Sequence, residues 1–213
     1  MIATIGVWWL VLALAVPGDI AERCRAAQQQ PREAIAACDA AAASPDVAAN
    51  GEVAEEMLFR LSDAHAATGD FAAASATLDR VAAMHPEPAR WMHEYRLDRR
   101  RGILAYRQGR YAEALPLFRA ARARAAARDD AVALGQSDND IGNALRRIGS
   151  YREALESYLS SLDFKRRAGD KQLGALLTNL GDLYRDLGDI AASRARAWRG
   201  SRSIATTCRR RRR

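Results

Sequence analysis

The chain has 213 residues, is 49% hydrophobic but only 7% aromatic, and carries a formal charge of +7. Nine arginines between Arg194 and Arg213, with no acid among them, account for more than that excess and leave the remainder at −2. A near-neutral body with a basic tail argues against a nucleic-acid-binding domain, and scarce aromatics point to close helix packing rather than one central core.

Residues 1–18 stand apart from the rest of the chain. Ile5 to Val16 is an apolar run ended by Pro17, Gly18 and Asp19. It is short for a bilayer span and fits the apolar region of a secretory signal, with small residues allowing cleavage after Ala15 or Gly18. A periplasmic or secreted location is therefore expected. The alternatives are a membrane anchor over residues 2–16 and, third, a buried core helix.

From residue 19 the chain repeats itself. Residues 109–118 read GRYAEALPLF and residues 149–158 read GSYREALESY. The same register returns as GDFAAASATL at 69–78, QQPREAIAAC at 29–38 and GDIAASRARA at 188–197. The marker positions Gln29, Gly69, Gly109, Gly149 and Gly188 are spaced by 40, 40, 40 and 39 residues. Self-similarity at such a period is the mark of a repeat architecture.

Each unit reads as two helices around a tight turn. After the turn glycine, Asp70, Ser150 or Asp189 is placed to cap a helix. Apolar and small residues then follow at helical spacing, as in Tyr111, Ala114, Leu115, Phe118 and Ala121. A second helical pattern precedes each glycine, as in Leu173, Leu176, Leu177, Leu180, Leu183 and Tyr184. Gly169 is placed to end the preceding helix and Asp170 to cap that one. Pro116 falls in the first two turns of its helix, where a bend is expected rather than a break. No segment alternates as a strand.

These residues resemble the tetratricopeptide repeat family. Gly102, Gly142 and Gly181 sit seven residues before their turn glycines; Phe71, Tyr111 and Tyr151 supply a first aromatic. Ala34, Ala74, Ala114 and Ala154 supply the small contact, Phe118 and Tyr158 a second aromatic, and Pro86 a unit-closing proline. LTNLGDLYRDLGDI at 177–190 is the nearest match to the pattern. The resemblance covers roughly residues 20–198, with the 19–198 array ahead of an Arg-rich tail at 199–213. The common period is about 34 residues; forty is similar to the kinesin light chain type. The resemblance implies an all-α, right-handed solenoid of antiparallel helix hairpins.

It also implies where a partner would lie. In this family the first helix of each hairpin lines a concave groove, and its lining positions carry over to named residues. These are Phe59, Arg60 and Asp63; then Arg96, Arg99, Arg100, Ile103, Tyr106 and Arg107. Asn139, Asp140, Asn143 and Arg146 follow, and then Asn179, Asp182 and Arg185. The expected occupant is a protein or peptide partner, of acidic character given so many arginines. Asn143 and Asn179 match two asparagines of carboxylate-clamping members, but Asn139 stands where a lysine belongs, so such a clamp is not expected.

Cys24 and Cys38 fall at similar heights of the first hairpin. They read equally as a disulfide in an oxidising compartment or as two small buried thiols. His65, His85 and His93 are scattered, and Ser62, Asp63 and His65 are only neighbours on one helix. No metal spacing or phosphate loop occurs, so neither catalytic residues nor a metal or cofactor is expected.

The pattern fails near Ala195, and Cys208 has no assigned partner. The tail reads as a disordered basic arm able to touch anionic lipid or nucleic acid, or as the result of truncation or a shifted reading frame. Two functions are in play. One is a non-catalytic interaction scaffold; the alternative is the interaction domain of a longer membrane signalling protein that has lost a cyclase or kinase domain.

Overall fold

The computed structural model of the protein describes residues 17–84, 90–170 and 173–188. The apolar run through Val16, His85 and Pro86, and residues 189–213, where a last helix and an arginine tail are expected, lie outside the described residues. Ten α-helices and one 3-10 turn make up the described residues, with no strand among them. The helices are α1 (Pro17–Ala26), α2 (Pro31–Ala43), α3 (Pro45–Ala48), α4 (Gly51–Ala67) and α5 (Phe71–Ala82). Then come α6 (Arg90–Arg107), α7 (Tyr111–Ala126), α8 (Ala131–Ile148), α9 (Tyr151–Arg167) and α10 (Gly174–Asp186). The 3-10 turn Ala27–Gln29 joins α1 to α2.

Consecutive helices pair as hairpins: α1 with α2, α4 with α5, α6 with α7, and α8 with α9. Gly69, Gly109 and Gly149 follow the first helices of their hairpins, and Gly188 follows α10, with φ of +84°, +75°, +94° and +76°. That left-handed conformation is nearly free for glycine and unfavourable for any side chain with a Cβ. The forty-residue step therefore marks a backbone requirement. Pro116 lies inside an unbroken α7.

Asp70 and Asp130 accept hydrogen bonds at 2.9 Å from the N–H of Ala73 and Ala133, and Asn50 from Val53 at 3.3 Å. Two expected caps are corrected. The Ser150 side chain makes no capping bond to α9. Asp170 is not the cap of α10, which begins only at Gly174 with Leu173 before it; the Asp170 carboxylate accepts from Lys165 Nζ at 2.5 Å.

Hairpins hold together through one recurring slot. In α6–α7 and α8–α9 the side chains at 118 and 158 meet the position sixteen residues earlier on the partner helix. Phe118 and Tyr158 are buried there against Gly102 and Gly142. A Cβ on either glycine would lie 2.6 Å from the ring, so only glycine admits an aromatic. In α4–α5 the corresponding positions hold Leu78, which is buried, and Ser62, whose hydroxyl donates to the Ala74 carbonyl at 3.0 Å. Ala74, Ala114 and Ala154 are fully buried, letting the helices approach. The core is a string of clusters shared between neighbouring hairpins, as expected of a stack of repeats.

Candidate functional site

The first helices of successive hairpins touch one another: α4 meets α6, α6 meets α8, and α8 meets α10. Their outward positions line one groove of about 850 Å³, which reaches from α1 and α2 to the start of α8. Six arginines and four carboxylates are among its lining residues. Charged and apolar residues both line the groove, with Phe59, Met92 and Tyr95 as its large apolar and aromatic members.

Most of the charge is already paired across hairpins. Arg25 reaches from α1 to Glu56 on α4 through two bonds, at 3.1 and 2.8 Å. Arg60 shares that carboxylate at 2.9 Å. The Arg25 bond, opposed by partial burial and helped by Arg60, holds the Glu56 carboxyl below its ordinary range. Arg96 donates at 3.3 Å to Glu55, which lies buried 3.0 Å from His93 Nδ1. Arg99 donates to Asp140 at 2.5 Å, and Arg100 to Asp63.

Arg100 also stacks over the Phe59 ring, 5.2 Å from its centroid. Burial, then the neighbouring charges of Arg107 and Arg60, bring its guanidinium below the ordinary arginine value. Arg107 is exposed on the groove wall, with no carboxylate at ion-pair distance among the described residues.

Of the residues singled out from sequence, Arg60, Arg96, Arg99 and Arg100 meet in this groove, together with Phe59, Asp63 and Arg107. The others lie elsewhere. Tyr106 packs edge-on against Tyr111 at 5.1 Å. Arg146 bridges from α8 to Asp182 at 3.4 Å and Asp186 at 2.6 Å on α10, and Arg185 donates to Asp182 at 2.5 Å. Asn179 donates to Asn139 at 2.9 Å, and Asn143 accepts from the Tyr158 hydroxyl at 2.8 Å. Arg146 and the Asn139–Asn179 pair join successive repeats, while the other contacts stay within one hairpin or one helix. Cys24 and Cys38 are buried and joined by a disulfide that lines the groove's far end.

Sequence reasoning passed over Arg25, Tyr95 and Gln136. Gln136 stands forty residues after Arg96, so the repeat register itself could have found it. Nothing in the register marks Arg25, whose place depends on how α1 folds over α4. Among the described residues no three His, Cys, Asp or Glu side chains are placed to hold a metal ion, and no helix is long and apolar enough to cross a membrane.

Residues 94–167 match the family model described as tetratricopeptide repeat. Over these residues the chain is similar to tetratricopeptide repeats. Solved structures extend that fold over nearly all of it. Nearly identical TPR-like repeats of a putative kinesin light chain from Podosopora anserina align with a TM-score of 0.62 at 18% identity, over 91% of this chain and 96% of that one. MamA from Desulfovibrio magneticus RS-1 aligns with a TM-score of 0.52 at 21% identity, over 88% and 98%. A Rap protein solved with competence and sporulation factor aligns with a TM-score of 0.67 at 16% identity. It covers 89% of this chain, which in turn spans 54% of the Rap chain. No curated protein matches the sequence.

Proposed function

We propose that this tetratricopeptide repeat array is a non-catalytic scaffold that holds an extended, acidic segment of a partner protein along its groove. The observation that carries the reading is the groove itself: an open channel of about 850 Å³, walled by consecutive repeats and richer in arginine than in carboxylate. Guanidiniums already oriented by Glu55, Glu56 and Asp140 lose little freedom when a peptide carbonyl or carboxylate arrives. The Rap structure, solved with competence and sporulation factor, supports ligand binding by this fold. The buried Cys24–Cys38 pair in the first hairpin supports an exported protein in an oxidising compartment.

The test is a photo-crosslinking amino acid placed at Arg96 in the groove and, separately, at Arg119 on the exposed side of α7. Cross-links through position 96 to one defined segment of a partner, without a counterpart at position 119, are expected. Equal labelling from both positions would overturn the groove as the binding surface.

A further inference from the structure

We infer that Arg60, Arg100 and Arg107 form a site for one oxyanionic side chain, a carboxylate or a phosphoryl group, on the segment held in the groove. The inference rests on the peptide-binding reading above and adds where along the groove the charge is recognised.

Arg60 and Arg100 occupy the same place in consecutive repeats, forty residues apart. Arg107 is seven residues beyond Arg100 on α6, two turns along the same helix face. All three line the groove, and so does Arg25 at its edge. Against these four guanidiniums stand three carboxylates, Glu22, Glu56 and Asp63. Glu22 is held by Arg25, Glu56 is shared by Arg25 and Arg60, and Asp63 is taken by Arg100. An excess of one positive charge, that of Arg107, is left on the wall.

That excess is felt locally. The charged form of Arg100 is opposed by burial and then by Arg107 and Arg60, a repulsion that an incoming anion would reverse. The excess also stops abruptly, because the residue forty beyond Arg100 is Asp140, which neutralises Arg99. Arg100 is held in place by the Phe59 ring, and Arg107 presents its donors to solvent. A planar guanidinium matches the paired oxygens of a carboxylate or phosphoryl group, so a fixed arginine beside a free one forms a receptor for either.

The test uses the intact chain and a displayed library of random twelve-residue peptides, panned in parallel against the natural protein, Arg107→Ala and Arg119→Ala. The best-enriched peptide is then synthesised with its acidic residue kept, changed to glutamine or asparagine, or changed to phosphoserine. An acidic residue common to the enriched peptides is expected, with affinity falling about tenfold on neutralising it and about as much in Arg107→Ala, while Arg119→Ala changes nothing. Tighter binding of the phosphoserine peptide would assign the site to a phosphoryl group, and tighter binding of the acidic original to a carboxylate. Enriched peptides indifferent to both the acid and Arg107 would overturn this site and leave peptide binding standing. A library from which nothing is enriched would instead overturn the groove reading, and this site with it.

Discussion

The first hairpin and the two middle hairpins solve the same packing problem differently. In α6–α7 and α8–α9 a buried ring, Phe118 or Tyr158, packs directly against a glycine of the partner helix. In α1–α2 the corresponding repeat position holds Cys38, fully buried and bonded to Cys24 across a fourteen-residue separation. Short helices with few large side chains bury little apolar surface, and a covalent link substitutes for it. A repeat position thus specifies a contact to be made, and the chemistry that makes it can change from unit to unit.

The comparison can be broken most forcefully at Phe118. Phe118→Ala empties the largest buried slot of α6–α7 and is expected to cost about 3–5 kcal/mol, read from chemical denaturation. Reducing the Cys24–Cys38 bond, or the Cys38→Ser variant, is expected to cost about 3 kcal/mol, with the loss confined to the first hairpin. Hydrogen exchange by residue checks this: faster exchange in α1 and α2 with α6–α9 unchanged is the expected result. Equal loosening throughout would show that the disulfide supports the whole array.

Gly142→Ala tests the close approach itself. The new Cβ would meet the Tyr158 ring, whose hydroxyl is anchored on Asn143, so a cost of about 1–3 kcal/mol is expected. The same change at Gly51, with open space around its Cβ position, should not destabilise α4. The smallest effect sharpens the helix starts. Asp70→Ala should cost about 1 kcal/mol because its carboxylate caps α5, whereas Ser150→Ala should leave the melting temperature unchanged.

Much of the fold was legible because its requirements are local. A turn that needs positive φ writes a glycine every forty residues, and a helix pair that needs an aromatic on a bare backbone writes glycine and ring sixteen apart. Capping was legible only in part. Ser150 and Asp170 have the right side chains at the right distance from the turn, but the first makes no capping bond and the second accepts from Lys165 ahead of a helix that starts later. The groove was half legible for a related reason. The register located Arg60, Arg96, Arg99 and Arg100, yet it could not say that each would meet an acid from a neighbouring helix or from its own.

The amino-acid sequence alone dictates the repeat: its period, its turns, its buried alanines and the helix face that looks inward. These arise from backbone conformation and hydrophobic spacing within forty residues. Which charges remain available was settled only in the folded stack. Arg25 and Arg60 meet on one carboxylate, Arg146 is consumed by α10, and Arg107 faces the groove with none of the described carboxylates. Ion pairing depends on distances between helices stacked one repeat apart, and those distances come into being only when the solenoid closes its repeats against one another.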